Sequence, residues 1–124
     1  MIAFFNDDPG AEVVGAIFNE VPSVEMSAIN LLEIAYDAVR CSGDPQSAHH
    51  ILEAVRQLPI HVHWEIDSAL FHHAARLKAG HRISLADACA LALAKTLGAP
   101  LVTSDHHEFD TLEQHGIARF IWIR

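Results

Sequence analysis

Carboxylates are the residues of this chain best placed to do chemistry. Asp87 is the one charge in the run from Ser84 to Ala94, which is otherwise apolar around the helical circumference for about three turns. A helix of that kind is buried between other elements, and a carboxylate on it must be neutralised, paired or held on a metal, because an unpartnered one costs several kcal/mol. A plainer role competes: Ser84-x-x-Asp87 has capping-box spacing, in which Asp87 would serve the N–H groups of its own helix. Asp105 follows the apolar run Pro100-Leu101-Val102-Thr103-Ser104, so it should project from the carboxyl end of a buried strand, where open α/β sheets place their sites. Asp105-x-x-Glu108 could equally cap the helix that follows. Asp110 is either an outer carboxylate of the same site or a solvated acid in a first helical turn. Glu33 falls on a stripe with Asn30, Asp37 and Arg40, opposite Ile29, Leu32, Tyr36 and Val39, and a solvated polar face accounts for that stripe adequately.

Other chemistries find less support. The ten histidines include His49-His50, His72-His73 and His106-His107, adjacent pairs whose members do not share a helix face. His61-x-His63 would share a strand face, but neither a cysteine partner nor a His-Glu-x-x-His helix accompanies it, so structural zinc is not expected. Cys41 and Cys89 are too isolated for a disulfide framework and read as small buried hydrophobes. No nucleophile elbow and no phosphate-binding Gly-rich loop is present.

The elements that must position the acids are set off by turn signals. Pro9-Gly10 precedes a helix to about Glu20, and Val21-Pro22 ends it before a strand near Ser23 to Met26. Ser27 caps a helix from Ala28 to about Cys41, and Ser42-Gly43 stops it. Asp44-Pro45 opens another helix, closed by Leu58-Pro59, and Ile60 to His63 is a strand. The spacing of Ile66, Leu70, Phe71, Ala74 and Leu77 predicts a helix from Glu65 to Ala79. Ser84 to Leu97 is the next helix, Ala99 to Thr103 a strand, Glu108 to His115 a short helix and Phe120 to Ile123 a last strand. Apolar strands alternating with helices predict an α/β fold whose parallel sheet is sandwiched by helices. With 124 residues and no linker or repeat, the expectation is a single domain over 1–124.

A formal charge of −8 counts against a protein that grips nucleic acid by electrostatics alone, and suits cation binding instead. Arg76, Lys78, His81 and Arg82 form a local basic patch, which a solvated helix end also explains. No stretch reaches the roughly 20 apolar residues a membrane span needs, and Met1 to Asp8 lacks the features of a secretory signal, so a cytoplasmic location is expected.

Three blocks in order, Ser27-Ala-Ile-Asn30-Leu-Leu-Glu33, Ser84-Leu-Ala-Asp87-Ala88 and Leu101-Val-Thr103-Ser104-Asp105 with Phe109, resemble those of PIN-domain proteins of the VapC toxin type. The resemblance runs over nearly the whole chain, to Ile121-Trp122-Ile123-Arg124. It implies an α/β/α three-layer fold and a metal-dependent endoribonuclease, the toxin of a toxin–antitoxin pair. It also implies that Glu33, Asp87 and Asp105 are catalytic, metal-binding acids for Mg²⁺ or Mn²⁺, with Asp110 and the hydroxyls of Thr103 and Ser104 as accessories. The metal would polarise the scissile phosphate and acidify an attacking water. RNA would approach through Arg76, Lys78, Arg82 and Lys95, and the expected partners are an antitoxin protein, docked in an apolar groove, and a second copy in a homodimer.

One departure qualifies these expectations. The family begins with a central strand ending in an Asp, whereas Met1-Ile-Ala-Phe-Phe resembles the segment after it, and Asp7 and Asp8 fall in the following loop. The first central strand is thus expected to be absent from this chain, which points to a start upstream of Met1 or to rearranged strands exchanged between protomers. A second reading follows, a catalytically impaired PIN-like binding module that keeps the partner surface. A nucleotide-binding regulator on the same sheet class is a distant third, disfavoured by the missing Gly-rich turn.

Overall fold

The computed structural model describes all residues, 1–124, and the chain forms two compact units, Met1–Trp64 and Glu65–Arg124. Each has its own hydrophobic core and its own pair of parallel strands.

In the first unit, α1 (Ile2–Asn6) packs on α2 (Ala11–Glu20), followed by β1 (Val24–Ser27), α3 (Ala28–Ser42), α4 (Ser47–Arg56) and β2 (Ile60–His63). Asp7 ends α1 in the left-handed conformation, at φ 54°. Ser27 caps α3 as its position predicts, its hydroxyl accepting from the Asn30 N–H, and Gly43 closes that helix at φ 70°, where only glycine is free of Cβ strain. β1 and β2 run parallel, with Val24 opposite Ile60 and Ser27 opposite His63. Met26, Leu31, Ile34 and Val55 form the core. The stripe read from the sequence of α3 is corrected here: Leu31 and Ile34 face inward, while Leu32 and Tyr36, placed on the apolar face, are 64% and 63% exposed. α4 begins two residues after Pro45, because the Asp44 carboxylate first takes the Gln46 N–H in a turn. Cys41 is exposed, against the expectation of burial, and Cys89 of the second unit is buried.

The second unit runs α5 (Ser68–Gly80), α6 (Leu85–Leu97), β3 (Leu101–Thr103), α7 (His106–Gln114) and β4 (Phe120–Trp122). α5 starts three residues later than the apolar spacing predicts, because Asp67 supplies the cap by accepting from the Leu70 N–H, and Ile66 stays outside the helix and exposed. α6 is the buried helix its composition predicts: Ala88, Leu91 and Ala92 are fully buried, and α5 lies along it. β3 and β4 pair in parallel, Leu101 opposite Phe120 and Thr103 opposite Trp122. Ile83, Ala88, Leu91, Phe109 and Leu112 make the core that fixes the starts of α6 and α7.

The fold class is therefore the expected one, helix-rich α/β with parallel strands, and the strands are short and form two pairs. No helix is long and apolar enough to cross a membrane.

Candidate functional site

Two helix starts in the second unit build the site. At α6, the Ser84 hydroxyl accepts from the Asp87 N–H at 3.0 Å and itself donates to Asp87 Oδ2 at 2.7 Å, so the side chain of Asp87 is oriented by the residue that caps its helix. At α7, Asp105 is the cap, accepting from the Glu108 N–H at 3.0 Å, and its own N–H donates to Thr103 Oγ1 at 3.1 Å. That cap is why α7 begins at His106 and not at Glu108 as the sequence reading has it. Glu108 then reaches across to α6, where its Oε2 accepts from the Ser84 N–H at 2.6 Å.

Capping is thus present at both helices, by Ser84 at α6, with the Asp87 carboxylate taking the Ser84 hydroxyl, and by Asp105 at α7, and it coexists with convergence. One carboxylate oxygen from each of Asp87, Asp105 and Glu108 lies within 4.8 Å of the others, and all three residues are half-buried. Ionised carboxylates this close repel one another, and what offsets the repulsion within the unit is N–H donors and the positive ends of α6 and α7. A cation would offset it further. The donor set is carboxylate oxygen throughout, which fits a hard divalent ion such as Mg²⁺ or Mn²⁺ and does not resemble the nitrogen and sulfur sets that select zinc.

The remaining sequence candidates fall as follows. Thr103 orients the backbone of Asp105, and the Ser104 carbonyl accepts from the His106 N–H. Asp110 does not join the three acids; its Oδ1 accepts from His106 Nδ1 at 2.8 Å, and it is half exposed. Glu33 is exposed on α3 in the first unit. Among the cations, Lys78 Nζ donates to the Ile83 carbonyl at 2.8 Å and Lys95 Nζ to the Ile117 carbonyl at 2.5 Å, one of the three donors of each ammonium group. Arg76 Nε donates to the His72 carbonyl, and Arg82 is exposed. The sequence offers Glu108 only a capping role, and its place in the site comes from the fold, where the complete burial of neighbouring Phe109 holds the first turn of α7 against the core.

His106 binds α7 to the chain end. Its Nε2 donates to the Arg124 carbonyl at 2.9 Å, its Nδ1 to Asp110, and its ring stacks on Trp122 at 4.0 Å and 9°. Two acceptors require two ring protons, and these bonds, the Arg124 carbonyl first, hold its pKa above the usual 6.5.

No curated protein matches the chain. A model of the PIN domain does, over residues 1–113, a span that takes in the first unit, the second as far as α7, and all the acids named above. That match covers most of the sequence, and the helix-rich α/β architecture with parallel strands agrees with it; the chain belongs to the PIN domain family.

Proposed function

We propose that the chain is a metal-dependent endoribonuclease and the toxin of a toxin–antitoxin pair. PIN family membership points to nuclease activity in general, RNA as substrate and dependence on divalent metal. The observation that carries the reading to this chain is the convergence of Asp87, Asp105 and Glu108 at two helix starts. These three would hold the ion, and a bound Mg²⁺ or Mn²⁺ supplies positive charge against the scissile phosphate and acidifies water. The chain's own groups do the positioning: the Ser84 hydroxyl sets Asp87, the Ser84 N–H sets Glu108, and Thr103 sets the backbone of Asp105. Glu33 is proposed as a further acid on the strength of its motif, and Arg76 and Arg82 as the first cations to meet RNA.

An exposed apolar groove of the first unit, lined by Leu31, Leu32, Ala35, Leu52 and Trp64, supports docking of an antitoxin peptide, and the homodimer remains part of the proposal. Action in the cytoplasm is proposed with it. The alternative, an impaired binding module, is not favoured, since capping two helix starts does not by itself require three carboxylates to converge within 4.8 Å.

RNA cleavage by the full chain tests the proposal. Cutting should require added Mg²⁺ or Mn²⁺ and be abolished by chelation, and Asp87→Asn and Asp105→Asn should each lower the rate on the order of 100-fold, the equivalent of about 2.7 kcal/mol. Equal rates in parent and variants would remove these acids from the reaction.

A further inference from the structure

The first unit carries a second convergence of ligand-type side chains, and no part of the nuclease reading uses it. β1 and β2 are in parallel register with Glu25 opposite His61, and alternation along β2 puts His63 on the same face as His61. Nδ1 of His61 lies 2.9 Å from Glu25 Oε2, and Nε2 of His63 lies 2.5 Å from the same oxygen. The two imidazole centroids are 4.7 Å apart. The other carboxylate oxygen, Oε1, accepts from the Ser23 hydroxyl at 2.8 Å, which fixes the plane of the carboxyl group.

We propose that Glu25, His61 and His63 form a binding site for a late first-row divalent cation, of which Zn²⁺ is the representative. Two imidazole nitrogens and one carboxylate oxygen are a borderline donor set, unlike the oxygen-only set of the second unit, and they are a known combination for three-ligand zinc sites with an open fourth position. That position is open to solvent here, because the His61 side chain is 65% exposed. The present spacings are those of hydrogen bonds. A tetrahedral ion with bonds of 2.0–2.1 Å separates its ligand atoms by about 3.3 Å, so the side chains must turn outward by less than an ångström, while their Cα positions stay fixed by the strand pairing. Binding would clip together two strands whose ligands lie 36 and 38 residues apart in the chain, so occupancy should stabilise the first unit. The sequence shows only the His61-x-His63 half of the site; Glu25 joins through the strand register.

Titration of metal-free full-length protein with Zn²⁺ alone, followed by calorimetry, tests the proposal. One equivalent should bind with an affinity that falls about 100-fold or more in His61→Gln, His63→Gln and Glu25→Gln, and that survives in the Asp87→Asn/Asp105→Asn variant. Substitution with Co²⁺ should give the intense visible absorption of a four-coordinate nitrogen–oxygen site in the parent, and NMR of the parent, which needs no variant to fold, should show the His61 and His63 ring signals moving first. Binding that is unchanged in the histidine variants, first shifts at His49, His72 or His107, or no binding at all would overturn it and leave Glu25 as the centre of a hydrogen-bonded cluster only.

Discussion

At the level of single residues, each acid of the proposed nuclease site has a structural duty as well as a chemical one, and substitutions must be chosen to separate the two. Glu108→Gln keeps the backbone N–H that Asp105 caps and removes only the charge. It should lower cleavage by at least about tenfold, whereas Asp110→Asn, whose carboxylate is engaged with His106, should change it by less than about threefold. Single-turnover rates on one RNA decide this, and the reverse order would return the accessory role to Asp110. His106 gives a pH prediction. Its folded pKa is raised, so the stability it contributes is complete below the unfolded value near 6.5 and is lost as pH rises through the folded value. Parent protein should therefore lose more thermal stability between pH 6 and pH 8.5 than His106→Asn does. Glu25 shifts oppositely: burial would raise its pKa, but hydrogen bonds from His63, Ser23 and His61 outweigh that and lower it, so its contribution disappears only at acid pH, as pH falls through the lowered value. Asp87 and Asp105 were legible as candidates because each is an acid at the edge of an apolar run. Glu108 was not, since its neighbour at Ser84 is 24 residues away and sequence spacing is blind to that approach.

Among the elements, α6 was the easiest to read and is the most consequential. Its apolar circumference predicted burial, and Ser84 predicted its start. Ser84→Ala should cost about 1 kcal/mol as a lost cap. It should also weaken cleavage, because the hydroxyl that orients Asp87 goes with it; a stability loss with full activity would show that the orientation is idle. Leu91→Ala, at a fully buried position of the same helix, should cost about 2–5 kcal/mol in chemical denaturation. Boundaries were less legible than elements. α5 and α7 moved by a few residues because Asp67 and Asp105 are the actual caps, and an acid looks the same in a sequence whether it caps a helix or lies within its first turn.

On the scale of the whole chain, parallel α/β character followed from the alternation of strands and helices, but the division into two units did not. Composition is continuous across Trp64 and Glu65, and only the assembled structure reveals one core cluster within each unit. Amide hydrogen exchange should accordingly find two protected groups, one in α3 and β1, the other in α6 and around Phe109. The chain also has one indole in each unit, and their settings differ. Trp64 is 62% exposed, whereas Trp122 donates to both carboxylate oxygens of Glu113 at 3.1 Å and lies flat against the His106 ring. Fluorescence therefore has two natural reporters: water should quench and red-shift Trp64 from the outset, while the emission of Trp122 should brighten as its imidazolium neighbour gives up a proton, so the colour of the light identifies which half of the molecule has responded.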